Sequence, residues 1–234
     1  MASIWKRFQY YLIGFIIGLI FVLFFFQNRG CAWLPGNRVK NTILDKVIVL
    51  PESQKQIFEE KGINEEVILS FLIDGNVIFN ESIKEQGVFP KAYIIEKKIN
   101  DQLTRIQFSL YEDSYISPVH YLSPEEKPKS FPSLNGKGAF LRLPRDSSLV
   151  YIDRSNYVQC KAQKLNYTDH DQLTKELKVS GKIDFERSNL MLPKAEHFIS
   201  FNHSDSIKVD AKTIWFESRI TFKDFFWKDT LNCK

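Results

Sequence analysis

The chain has 234 residues, 44% of them hydrophobic and 14% aromatic, a composition that supports a packed core and excludes global disorder. Its 32 Lys and Arg against 28 Asp and Glu leave a formal charge of +4, spread without a strong cluster, so there is no clear nucleic-acid signature. Three cysteines, Cys31, Cys160 and Cys233, show no C-x-x-C spacing, which removes support for zinc knuckles and thioredoxin-type chemistry. Cys160 and Cys233 either bridge, if this region lies outside the cytoplasm, or stand as independent thiols.

Residues 1–9 form an N-terminal tail, and 10–27 read as a transmembrane helix. Tyr10 to Phe26 carries no charge, with Trp5, Lys6 and Arg7 before it and Gln27, Asn28 and Arg29 after it. At 1.5 Å per residue this stretch covers about 26 Å, near the lower limit for a bilayer span, and Trp5 and Trp33 are placed as interfacial anchors. Asn28-Arg29-Gly30 before Cys31 is neither a small-x-small cleavage site nor the approach to a lipoprotein cysteine, so the helix is expected to remain as an anchor. The expected location is the cell inner membrane, single-pass, with the soluble domains on the periplasmic side. The flanking charges hardly favour one orientation, since Lys6 and Arg7 face Arg29, Arg38 and Lys40. Gly14 and Gly18 make a G-x-x-x-G spacing, a helix-packing face suited to a homodimer, although glycine is common in such helices.

Past Pro35-Gly36-Asn37, a short helical turn over 38–45 leads into the apolar run Val47-Ile48-Val49-Leu50. Glu52 to Lys61 reads as a helix with Ile57 and Phe58 facing inward, stopped by Gly62. Asn64 is placed to cap a second helix, with Glu65 and Glu66 in its first turn and Val67, Ile68, Phe71 and Leu72 at helical spacing. Gly75 is expected to end that helix as a C-cap glycine. Strands follow around Val77 and Phe79, at 92–95, at 103–110 and at 115–122, with Asn100-Asp101 as a turn. The stretch 123–138, SPEEKPKSFPSLNGKG, reads as a linker. Further strands are expected at 139–143, 198–201, 207–216 and 220–226, and a helix at 169–179.

The chain repeats itself. Gly75-Asn76-Val77-Ile78-Phe79-Asn80-Glu81-Ser82 returns as Gly181-Lys182-Ile183-Asp184-Phe185-Glu186-Arg187-Ser188, and each is followed by a second shared piece, Phe89-Pro90-Lys91-Ala92 and Leu192-Pro193-Lys194-Ala195. Leu149 to Ser155 likewise parallels Val47 to Ser53. The expected fold is α+β: an N-terminal transmembrane helix, then two tandem small modules, 38–122 and 139–234, each a helical start plus an antiparallel sheet.

The first copy resembles a group of small α+β domains of unknown function whose core pattern is His-x-x-x-Arg, Arg-Gly-Ile, an acidic helix start, a valine and a closing Gly-x-Val. Those domains are distantly similar to the RelE-like ribonuclease toxins. Lys61-Gly62-Ile63, Glu65-Glu66-Val67 and Gly75-Asn76-Val77 match in order and spacing, over about residues 46 to 121. The family's histidine falls here at Ser53 and its arginine at Ile57, so the pair that the resemblance would assign to acid–base and phosphate chemistry is missing. Cys31-Ala32-Trp33-Leu34-Pro35-Gly36-Asn37-Arg38-Val39, between anchor and module, resembles membrane-anchored hypothetical proteins of Bacteroidota, for which the resemblance implies no function.

No G-x-S-x-G, H-E-x-x-H or P-loop occurs, and neither catalytic nor cofactor-binding residues are assigned. Glu196, His197, His203 and Asp205 lie close enough in sequence to be weighed as metal ligands, but they read better as solvated loop polar groups, so no metal is assigned. Asp169-His170-Asp171 reads as a helix start. Ser82 and Ser188, with no histidine near them, read as serines capping a turn. Trp215, Phe216, Phe222, Phe225, Phe226 and Trp227 read as core at strand spacing, but 225–227 breaks the alternation, so at least one ring should face outward toward a partner.

The function expected from sequence is a non-catalytic protein-binding or envelope-scaffold module on a membrane anchor, with the membrane and another protein or a second copy as partners. The alternative is a degenerate nuclease-like or hydrolytic domain, which needs a cleft gathering His120, His170, His197 or His203 with a carboxylate or arginine. A third expectation, a ligand-binding envelope protein, needs a sizeable apolar pocket between the modules.

Overall fold

The computed structural model describes residues 2–29, 34–85, 87–129, 134–144, 149–167, 170–191, 193–204, 207–216, 218–228 and 233, with backbone alone at 2–4 and 23–29. Cys31, Trp33, Asp169, Leu192 and Asp205 therefore lie outside the described residues. The chain divides into Met1–Asn41 and Thr42–Lys234, not at the proline-rich stretch 123–138.

In the first unit, helix α1 (Ala2–Arg29) is longer at both ends than the expected 10–27; α2 (Pro35–Leu44) begins in this unit and its last three residues belong to the second. The window Trp5–Val22 has a mean hydropathy of 1.2 and is apolar and long enough to cross a membrane. Among the described residues nothing lies within 4 Å of where a Cβ would stand at Gly14 or Gly18.

The second unit is mixed α+β. Its elements are β1 (Val47–Pro51), α3 (Glu52–Glu60), α4 (Glu65–Asp74), β2 (Asn76–Val77), β3 (Lys91–Ile99), β4 (Gln102–Leu110) and β5 (Ile116–Leu122). They continue with β6 (Lys137–Arg142), β7 (Val150–Ile152), α5 (Asn156–Lys164), α6 (His170–Ser180), β8 (Lys182–Asn189), β9 (Glu196–His203), β10 (Ile207–Phe216) and β11 (Arg219–Phe226). All eleven strands join one sheet in the order β2-β3-β4-β5-β1-β6-β8-β9-β10-β11-β7.

Local rules account for most elements. Asn64 Oδ1 accepts the Val67 N–H at 2.9 Å, and α4 buries Ile68, Phe71 and Leu72. Asn100 and Asp101 both take positive φ, 49° and 61°, which joins β3 to β4 by a tight hairpin. The explanation of Gly75 changes: its φ is −63°, so it is not a left-handed cap. A Cβ there would overlap the Phe71 carbonyl oxygen and lie 2.6 Å from Ile95 Cγ2, so glycine is required by close approach. Gly181 repeats this against the Leu177 carbonyl and Phe140 Cδ2, and both N–H groups bond the carbonyl four residues back at 2.9 Å.

The expected linker is not a separator. Lys137 and Gly138 belong to β6, which pairs antiparallel with β1 on one side and β8 on the other and makes the sheet continuous. The helical-start-plus-meander description also changes, because β1 runs parallel to β5. Topologically, β2-β3-β4-β5-β1 with its parallel end pair has the same order as β8-β9-β10-β11-β7, where β7 runs parallel to β11.

Alternation along β1 separates the two faces of the sheet. Ile48 shares a face with Ser117, Tyr121, Ile106 and Ile95, the side on which the end of α4 packs. Val49 shares the other face with Phe140, where Gly181 and the end of α6 pack. The two helix pairs therefore cover opposite faces, and among the described residues of this unit no helix covers the β8–β11 half on the face opposite α6. Its core gathers Leu173, Leu177, Ile183, Phe201, Phe222 and Phe225 with Val47, Val49 and Tyr115 from the first half.

Candidate functional site

Ser114 and Tyr115, just before β5, enter the core against β9 and β10. Tyr115 is fully buried, its ring 4.0 Å from that of His197 and 5.9 Å from that of Trp215. Its hydroxyl is 2.7 Å from Thr213 Oγ1, which donates to the His197 carbonyl at 3.3 Å. Ser114 Oγ lies 2.7 Å from His197 Nε2 and accepts the Ile116 N–H at 3.2 Å. Lys46 donates from its ammonium to the carbonyls of Tyr111, at 3.2 Å, and Ser114.

Burial governs the ionisation of this cluster. It pushes His197 down to about 3, with the nearby Lys46 charge acting in the same direction. It lowers Lys46 to about 8 against the opposing pull of Asp113, and raises Tyr111 to about 12. The Tyr115 phenol is also raised, by burial that outweighs its bond to Thr213. A serine hydroxyl beside an imidazole has the parts of a nucleophile and base. Here both side chains have no exposed surface, and the imidazole is a weak base. His197 Nδ1 has no hydrogen-bond partner among the described residues.

His197 is thus a core residue, where a solvated loop group was expected. Glu196 pairs with Lys212 at 2.7 Å, and His203 Nδ1 lies 3.0 Å from Glu176 Oε1, whose other oxygen accepts the Tyr167 hydroxyl at 2.5 Å. Among the described residues no His, Cys, Asp and Glu side chains cluster as metal ligands. His170 opens α6 and is exposed. His120 is buried on β5, pushed down to about 4 by burial and by Lys129, and its Nδ1 has no partner among the described residues. The four histidines occupy four separate places.

The repeated serines share one bonding pattern. Ser82 Oγ donates to the Ile78 carbonyl at 2.6 Å and accepts the Ile94 N–H at 3.1 Å. Ser188 Oγ donates to the Asp184 carbonyl at 2.5 Å and accepts the Phe198 N–H at 2.9 Å. Each therefore clamps its own turn to the next strand. Phe79 packs edge-on against Tyr93, Phe185 is buried near Gly138, and Pro90 and Pro193 stand at or just before β3 and β9.

Cys160 on α5 and Cys233 are joined, with an S–S distance of 2.08 Å. A cavity of about 270 Å³ meets Phe89, Glu112, Asp113, Leu190, Met191 and Pro193 where the two halves adjoin. The bare face of β8–β11 carries Phe198 at its centre, with the Arg187 guanidinium 4.5 Å and the Lys212 ammonium 6.0 Å from its ring. Along β10 the burial alternates: Val209, Ala211 and Thr213 are buried, while Asp210, Lys212 and Ile214 are partly open on the bare side. Phe225 is fully buried and its neighbour Phe226 points outward, 39% exposed, beneath the Lys161 ammonium.

No protein-family profile, curated protein or solved structure matches this chain.

Proposed function

We propose that this chain is a single-pass membrane-anchored protein with a disulfide-closed body outside the cytoplasm, built from two fused copies of one β-α-α-β-β-β-β module. Its function in this reading is to bind another protein, without catalysis. The bare face of β8–β11 carries the proposal. An antiparallel sheet is stable with one face wet, but this face holds Phe198 and Ile214 among paired charges, the mixture of aromatic centre and polar rim that suits docking. Docking on a face also suits the sheet's ends, where β2 and β7 are two and three residues long and offer little edge for strand addition.

The duplication rests on the shared strand order, the paired glycine contacts and the paired serine clamps. The anchor rests on Trp5–Val22, and the compartment on the Cys160–Cys233 bridge. The inner membrane of a bacterium, of the kind suggested by the likeness to Bacteroidota proteins, is the location that joins these features.

A photo-crosslinking residue placed at Lys212 of the full chain in its own membrane should give one discrete adduct, and one at Lys55 on the outer side of α3 should give none. Equal adducts at both positions, or none at Lys212, would remove the docking reading. Compartment is tested separately with an impermeant maleimide on intact cells. Cys160 and Cys233 should label after reduction alone, whereas protection until lysis would place the body in the cytoplasm.

A second reading, a tethered hydrolytic domain, has the 2.7 Å Ser114–His197 pair in its favour. It requires that pair to open to solvent, and labelling of Ser114 by a fluorophosphonate, lost in Ser114→Ala, is its direct test.

A further inference from the structure

We propose that the bare face also holds an anion site, a groove that takes a molecule with two or more phosphate groups. Lys137 on β6, Lys182 on β8 and Lys208 on β10 come from separate strands yet share one face. The ladder sets this: Lys137 is opposite Asp184, Lys182 opposite Ser200 and Lys208 opposite Asn202. All three line one cavity of about 390 Å³ at the margin of that face, where Val179 and Ser180 at the end of α6 and Glu52 at the start of α3 complete the wall. An adjoining cavity of about 310 Å³ shares Asn202 and adds Lys175.

What sets these three ammonium groups apart is that they share one cavity; others on the body, such as Lys98, Lys127 and Lys178, also lack a carboxylate partner among the described residues but stand on neither cavity. Lys97, Lys129, Lys161, Lys212 and Lys223 each sit on a carboxylate, within 2.8 Å. Lys137, Lys182 and Lys208 have no carboxylate within ion-pair distance among the described residues. Like charges held around one cavity without counter-ions raise each other's free energy, and a polyanion relieves all of them together. Glu52 is the one acid on the wall of the larger cavity; in the adjoining one, Glu176 already bonds Tyr167 and His203. Ser200 and Asn202 add hydroxyl and amide donors between the lysines. Three flexible point charges at separate corners suit several phosphates better than a single carboxylate, which a planar arginine fork would hold.

Such phosphates come either from a soluble polyphosphorylated molecule or from a lipid headgroup. The test uses the full chain in nanodiscs of phosphatidylcholine, titrated calorimetrically with inorganic tripolyphosphate at low salt. K137Q/K182Q/K208Q should weaken binding at least tenfold, while K97Q/K212Q/K223Q, with the same loss of charge from paired lysines, should change it less than threefold. Glu52→Gln should tighten it. Repeating the titration in nanodiscs containing phosphatidylglycerol separates the sources: weaker apparent binding assigns the groove to headgroups, unchanged binding to a soluble ligand, and both uphold the site. No binding by the unaltered chain, or equal weakening by the two triple variants, overturns it.

Discussion

His197 is the residue at which chemistry and packing compete most directly. Its ring is held between Tyr115 and Ser114, and a neutral imidazole serves that place better than a charged one. His120 is held neutral in the same way. Both native values lie below the ordinary 6.5, so an unfolded chain takes up these protons first as pH falls. Stability is therefore complete above about pH 6.5 and is lost through pH 4 for His120 and toward 3 for His197, at up to about 1.4 kcal/mol per pH unit for each. Denaturant melts at pH 7 and pH 4.5 should show this loss in the native chain and a smaller one in H120Q/H197Q; an equal loss in both would refute the assignment. Ser114→Ala leaves the buried ring without its partner and should cost about 1–3 kcal/mol in the same melts at pH 7. Tyr115→Ala, which empties the junction, should cost about 3–5 kcal/mol.

At the scale of elements, the repeated motif is a structural device that packs a helix end and clamps a turn. Gly75→Ala and Gly181→Ala both force a Cβ onto a backbone carbonyl, so each should cost about 1–3 kcal/mol; a variant unfolding like the native chain would show that the helix end can shift freely. Much of this level was legible beforehand, because the signals are local. Asn64 three residues before a backbone N–H it can cap, and Asn100-Asp101 between two strand patterns, need no knowledge of the rest of the chain. The parallel pairing of β1 with β5 left no trace, since it joins Val47 to Ile116 across most of a module. Helix α5 carries no apolar stripe to announce it, because its buried face is Val158 and Ala162 with Lys161, whose ammonium is buried on Asp224 and the Phe225 carbonyl. Burial of His197 was hidden for the same reason as β1: its partners Ser114 and Lys46 stand far away in sequence and meet it through the sheet.

Across the whole body, continuity of the sheet matters more than the count of modules. Because β6 pairs with strands of both halves and Tyr115 fills the core of the other half, Thr42–Lys234 should unfold in one cooperative step. Tryptophan fluorescence, dominated in the body by Trp215 and Trp227, should therefore lose its signal together with far-ultraviolet dichroism in denaturant; two separated transitions would make the halves independent. Reduction of Cys160–Cys233, which closes a loop 73 residues apart in sequence, should lower stability by up to about 4 kcal/mol without dividing that step.

The place of β6 bears on how such a chain can change over generations. With β6 gone, β1 would show its backbone groups along Ile48-Val49-Leu50, an apolar and sticky margin, and β8 would lose its partner on that side. A gene cut back to either half would therefore yield a product prone to aggregate, so a strand shared in this way ties the fate of each half to the other.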